Sequence, residues 1–225
     1  MPGKRYTAKA ALVDTKKAYS LDEAVELVRN TSPARFDASV EVHLHLGVNP
    51  EKGDQQVRGT VRLPHGTGKT KRVAAFVSSD REAEARGAGA DPVGGKELIA
   101  EIKASETLNF DVAVATPDIM KDLATIAKIL GPRGLMPSPK NGTVTTNVAE
   151  TIADLKGGMV AFKNDDTANI HQAIGRVSWD APRIRENLAA FLEAIRRAKP
   201  PTAKGVYIRS AALTSTMGPS IGIQV

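Results

Sequence analysis

The chain has 225 residues, 41% of them hydrophobic, with no cysteine and a formal net charge of +6. Such proportions fit one large globular domain or two small ones. They exclude disulfides, thiolate nucleophiles and cysteine-ligated metal sites, and no run of about 18 apolar residues is present to cross a bilayer. The excess charge is uneven. Residues 1–66 hold ten bases against eight acids, residues 67–158 twelve against twelve, and residues 159–225 nine against five.

The basic start Met1-Pro2-Gly3-Lys4-Arg5 is followed by no apolar core of a signal peptide, so the expected compartment is the cytoplasm. Lys4 to Val13 predicts a short helix. Ser20-Leu21-Asp22-Glu23 is a capping box. It opens a helix with Leu21, Ala24, Val25, Leu27 and Val28 on its apolar side, ended by Thr31-Ser32-Pro33. Val40, Val42, Leu44 and Leu46 alternate with Glu41, His43 and His45, the pattern of a half-buried strand. Val57 to Leu63 predicts a second strand, closed by Pro64-His65-Gly66-Thr67-Gly68.

The middle has another pattern. Val73-Ala74-Ala75-Phe76-Val77 is a continuous apolar run, suited to a strand covered on both faces. Helices are predicted at 80–87, 95–104, 117–129 and 147–156, with strands near 91–93 and at 111–115. Alternating strands and helices predict a three-layer α/β unit with a parallel sheet. Gly157-Gly158 is a natural break. Half-buried strands then return at 160–162 and around Ile170, Ile174 and Val177. A helix over 182–198 carries Ile184, Leu188, Phe191, Leu192 and Ile195 on one face. Lys199-Pro200-Pro201 stops it, and terminal strands follow around Tyr207, Leu213 and Ile221.

Together these patterns predict an α+β and α/β chain of two domains. Residues 1–66 plus 159–225 form a discontinuous, basic domain, and residues 67–158 form an inserted α/β domain. Gly66 and Gly68 at one crossing, and Gly157 and Gly158 at the other, are the expected hinges.

Few motifs point to catalysis. Gly66-Thr67-Gly68-Lys69-Thr70 looks like the end of a phosphate loop, but Leu63 stands where the first glycine is needed and a strand follows instead of a helix. An enzyme acting on a nucleotide through the middle domain is the rival reading, and this gap and the neutral middle count against it. His43, His45, His65 and His171 show no metal-ligand spacing, so neither a metal nor a cofactor is expected. Arg35-Phe36, Lys163-Asn164-Asp165, His171, Gly175-Arg176 and Thr214-Ser215-Thr216-Met217-Gly218 combine cations with small hydroxyl residues and glycine. Cations meet phosphates, and hydroxyl and amide groups bond 2′-hydroxyls, which suits RNA read by its backbone and riboses.

The oddest segment is Gly131-Pro132-Arg133-Gly134-Leu135-Met136-Pro137-Ser138-Pro139-Lys140, which continues into Asn141-Gly142-Thr143. It closely resembles the signature of the first large-subunit ribosomal protein family, the proteins of the ribosome's mobile stalk. Lys4-Arg5-Tyr6, Phe36-Asp37, Arg58-Gly59-Thr60, Leu63-Pro64-His65-Gly66, Gly89-Ala90-Asp91, Ala115-Thr116-Pro117-Asp118, Ile170-His171 and Thr216-Met217-Gly218-Pro219 extend the resemblance along most of the chain. It implies a split β-α-β domain joining both termini and a Rossmann-like insert without a nucleotide. It implies binding to large-subunit (23S) ribosomal RNA at the stalk, help in releasing exit-site tRNA, and repression of translation of the chain's own messenger RNA. It implies no enzymatic activity, no membrane partner, and a monomer outside the ribosome. By matching positions, the RNA surface would include Glu26, Arg35, Phe36, Ser39, Lys163, Asn164, Asp165, His171, Gly175, Arg176, Ser210, Thr216, Met217 and Gly218. Arg133 and Lys140 would form a secondary loop contact. Three positions depart from the family pattern: Ser138 replaces a common asparagine, Asp166 a common lysine, and Ala168 a common glycine.

Overall fold

The computed structural model describes residues 3–225, apart from the side chain of Lys140. The chain separates into two compact units. A terminal unit runs up to Gly68 and resumes at Val160–Val225, and a middle unit is Lys69–Met159. The terminal unit begins with α1 (Lys4–Ala10) and α2 (Leu21–Thr31), followed by strands β1 (Ser39–Leu46) and β2 (Arg58–Arg62). α1 stops at Ala10, three residues short of the expected Val13. The capping box at α2 is formed in full: Ser20 Oγ accepts from the Glu23 N–H and the Glu23 carboxylate from the Ser20 N–H. Those bonds satisfy two donors and hold the Glu23 carboxyl below its usual range.

The middle unit follows with β3 (Val73–Phe76), α3 (Glu82–Gly87), β4 (Val93–Gly94), α4 (Lys96–Ser105) and β5 (Val112–Ala115). Its three strands pair in parallel in the order β4-β3-β5. The predicted single helix over 117–129 is instead a series of short turns. These are a 3-10 turn at Pro117–Ile119, α5 (Met120–Leu123), a 3-10 turn at Ala124–Ile126, and α6 (Ala127–Leu130). Ile119, Leu123, Ile126 and Leu130 still face one way and are all buried. Spacings of three and four keep such a stripe in either kind of turn, so packing tolerates the broken helix. α7 (Val148–Lys156) completes the unit.

α3 and α7 supply Ala85, Ile152 and Leu155 against Val73, Ala75, Val77 and Val114. α4 and the 117–130 turns supply Ile99, Ile102, Leu123, Ile126 and Leu130 against Ala74, Phe76, Ala113 and Ala115. Odd and even positions of β3 thus feed two cores, one on each face, which accounts for the unbroken apolar run.

The chain re-enters the terminal unit with β6 (Met159–Lys163), β7 (Asn169–Arg176), α8 (Ala181–Arg197), β8 (Ile208–Ser215) and β9 (Ile221–Gly222). β2 and β6 pair as a separate two-stranded sheet, and the main sheet has the order β7-β1-β8-β9. β1 is antiparallel to both β7 and β8. β7-α8-β8 is therefore a β-α-β unit split by β1. One face of the sheet packs Val40, Val42, Leu44 and Leu46 against Val25 and Val28 of α2 and Ile184, Leu188, Phe191 and Ile195 of α8. The other face carries the intervening polar residues.

Candidate nucleic-acid interface

Two side-chain clusters form in the terminal unit. The first surrounds the turn after β8. Thr216 accepts from the Ser39 N–H through its hydroxyl (3.1 Å), and its own N–H donates to the Ser39 carbonyl (3.0 Å). The two ends of β1 and β8 are thereby tied together, with Thr216 and Ser39 at one surface. Arg176 joins them, donating to the Asp37 carbonyl (3.1 Å) and reaching Ser39 Oγ (3.5 Å). Met217 then takes a left-handed backbone (φ +65°), which throws its side chain outward. Gly218 follows, where a Cβ would stand 2.1 Å from Ser215 Oγ and 3.1 Å from the Ser215 carbonyl oxygen, so any larger residue forces Ser215 to move. Arg35, Phe36, Met217 and Gly218 line one groove.

The second cluster lies on the polar face of the sheet. His43 and His171 are opposite each other in the β1–β7 register. Their Nδ1 atoms are 2.7 Å apart, a spacing that requires a single proton between them. His43 Nε2 bonds Thr214 Oγ1 at 2.9 Å on the other neighbouring strand. Burial, and then the neighbouring His171, push the His43 pKa below its ordinary value of 6.5, against an opposing pull from Glu41. His171 Nε2 is 3.6 Å from the Asp165 carboxylate. The Asn169 N–H and groups of Thr167 bond that carboxylate, holding the Asp165 pKa down to about 2. His45 bonds Asn169 Oδ1 (2.9 Å) and is paired in register with Ser210.

The remaining predicted residues fall elsewhere. Glu26 and Lys163 stand exposed on α2 and β6, outside both clusters. Asn164 is buried and works within the fold: its Oδ1 accepts from the Val57 N–H at 2.7 Å and its amide donates to the Asp165 carbonyl. Gly175 is buried under Trp179, which a Cβ would meet at 3.0 Å. In the middle unit, Arg133 is exposed on a loop that Thr143 closes by bonding both the N–H and the carbonyl of Ser138. The Lys140 side chain lies outside the described residues.

Residues 28–219 match the Ribosomal protein L1p/L10e family. The chain belongs to that family. It is 51% identical over 218 residues to "Large ribosomal subunit protein uL1" of Kosmotoga olearia, covering 97% of this chain and 94% of the relative. It is 52% identical over 220 residues to the protein of the same name in Salinispora tropica, covering 98% and 92%. This is a structural, non-enzymatic family. No helix among the described residues is long and apolar enough to cross a membrane.

Sequence reasoning passed over two residues that organise this family member. His43 joins β7 to β8 across β1, and its signal was the polar face of an alternating strand. Asn187 is fully buried in α8. Its Oδ1 accepts from the His65 N–H, and its Nδ2 donates to the carbonyls of Gly66 and Ile174. An amide three residues from Ile184 in an otherwise apolar stripe was the available sign. It holds the chain just before Gly68, whose own Cβ position is closed off by Trp179 and Arg176. Gly66, Gly68 and Gly158 have positive φ, whereas Gly157 continues the right-handed turn that ends α7.

Proposed function

We propose that the chain is a constituent of the large ribosomal subunit in the cytoplasm and binds large-subunit ribosomal RNA at the stalk through its terminal unit. The observation that carries this reading is the convergence of Arg35, Ser39, Arg176, Thr216 and Met217 at one surface. Two guanidinium groups suit phosphates, and Ser39 and Thr216 supply hydroxyls suited to riboses beside an exposed thioether. The sheet face with His171, Asp165 and Ser210 adds polar groups to this surface. The name carried by the relatives supports the ribosomal assignment.

Asn164 and Gly175 serve this surface by shaping it, since each is packed inside the unit, and Gly218 does so from the groove wall. Arg133 and Lys140 form a secondary contact from the middle unit, with Gly66, Gly68, Gly157 and Gly158 at the chain crossings. We further propose that the stalk-bound chain assists release of exit-site tRNA, and that the same terminal-unit surface binds the chain's own messenger RNA and represses its translation. Outside the ribosome the chain is a monomer.

The test is affinity of the full chain for a stalk fragment of large-subunit RNA across a range of salt. The logarithm of affinity should fall linearly with that of salt, by about 0.7–0.9 per phosphate neutralised. Met217→Asp sets an anion against phosphate on an exposed side chain and should weaken binding about tenfold, a cost of about 1.4 kcal/mol, with no change in thermal stability. Salt-independent binding, or an unaffected Met217→Asp variant, would sink this reading.

A further inference from the structure

The groove beside Met217 has a volume of about 630 Å³ and is bounded on its far side by α1. Tyr6 and Arg5 of α1 face Arg35, Phe36 and Met217 across it. Tyr6 is 37% exposed, Phe36 61% and Met217 76%. These three are half of the exposed large hydrophobic side chains among the described residues. Their gathering in one place is the more telling because only 4% of the chain is aromatic.

Packing does not account for the arrangement. α1 buries none of its residues. It is nonetheless tethered, because Lys9 Nζ donates to the Asn30 carbonyl at the end of α2 (2.7 Å). On the opposite wall the left-handed backbone at Met217 costs conformational energy. The Thr216–Ser39 bonds and the Gly218 N–H donating to the Ser215 carbonyl (2.7 Å) hold that strained turn. The fold thus fixes both walls while leaving their apolar surfaces uncovered.

The chemistry of the walls selects an occupant. Two aromatic faces and a thioether suit a flat, polarizable ring, and two guanidinium groups suit an anion attached to it. Among the described residues, no carboxylate lines the groove. An apolar helix from a protein partner would satisfy the rings and leave both guanidinium groups unmatched. A nucleotide supplies the ring and the anion together, and the groove is continuous with the surface assigned above to RNA. We propose that the groove takes one unstacked nucleobase of the bound RNA, its ring against Tyr6, Phe36 and Met217 and its phosphate beside Arg5 and Arg35. Tyr6 and Arg5 then belong to the binding site, and α1 is its outer wall. This deepens the RNA-binding reading and rests on it.

The experiment uses the full chain with two probes, a stalk fragment of large-subunit RNA and a short single-stranded oligoadenylate. With the oligoadenylate, ring currents should move the Met217 methyl and Tyr6 ring resonances saturably, and Tyr6→Ala should abolish the movement at Met217. With the stalk fragment, Tyr6→Ala should weaken binding about tenfold, the order of one base–aromatic stack. Tyr6→Phe should stay within about twofold of wild type, because it keeps the ring. Amide resonances of α1 show whether each variant keeps its helix, and Arg5→Gln tests the groove with the ring intact and should lose severalfold.

If the wild type binds the fragment but Tyr6→Ala and Arg5→Gln bind it equally well, and oligoadenylate leaves Met217 unmoved, the groove holds no base and the broader RNA reading survives. If the wild type does not bind the fragment, the broader reading falls. The proposal falls with it, whatever the oligoadenylate shifts show, because the base it names belongs to the bound RNA.

Discussion

Neighbouring residues have opposite fates in one unit and the same fate in the other. Along β1 of the terminal unit burial alternates, so Leu44 is in the core and His45 on the polar face. Along β3 of the middle unit every position is buried, Ala74 under α4 and Ala75 under α3 and α7. A sheet covered twice has no face left for a ligand. A sheet covered once has a whole face of fixed polar groups, spaced by strand geometry, and both side-chain clusters of the candidate interface sit on that face or at its end.

The largest test of this contrast substitutes neighbours in each unit. Ala74→Glu and Ala75→Glu should both abolish cooperative folding of the middle unit, because either carboxylate is buried without a partner. Leu44→Ala should cost the terminal unit about 2–5 kcal/mol, and adjacent His45→Ala about 1 kcal/mol or less, the worth of its bond to Asn169. Denaturant unfolding of the four variants measures the asymmetry, and equal costs at Leu44 and His45 would remove it.

A smaller effect is expected at the end of the open face. Gly218→Ala forces a Cβ against Ser215 and should cost about 1–3 kcal/mol by overpacking. Because the same turn presents Met217, affinity for the stalk fragment should fall too, as a paired melting and binding experiment would show.

Ala168 occupies a left-handed conformation (φ +63°) while its carbonyl accepts from the Leu46 N–H. Ala168→Gly should therefore stabilise the unit by about 1 kcal/mol through relief of that strain. An unchanged or lower melting temperature would show that the residue pays no such penalty.

The smallest effect is a pH dependence from the polar face. The folded pKa of His43 lies below 6.5, so the unfolded chain binds more protons as pH falls past that value. The stability from keeping His43 neutral is full above pH 6.5 and declines as pH drops toward its folded pKa. His43→Gln should flatten that part of the stability–pH curve. Asp165 acts much lower: its contribution is present above its ordinary value of 3.8 and is lost as pH falls toward 2.

Local signals in the chain were sufficient for much of this. The capping box of α2, the alternation of β1 and the unbroken apolar run of β3 each specify an element through bonds or periods set within a few residues. The proline–glycine run and the Thr216-Met217-Gly218 turn likewise marked their segments as unusual, because their backbone demands are written in residue type. Tertiary structure alone decided the rest. Strand order placed β1 between β7 and β8, which set His43 against His171 across 128 residues of chain. Asn187 had no role in the sequence pattern, and only the fold brought three backbone groups to its amide. Lys4-Arg5-Tyr6 matched the family pattern in the sequence, but only the placing of α1 put Tyr6 opposite Phe36 and Met217. Periodicity tells a residue which way to face, but its partners come from segments whose meeting depends on the packing of the whole unit.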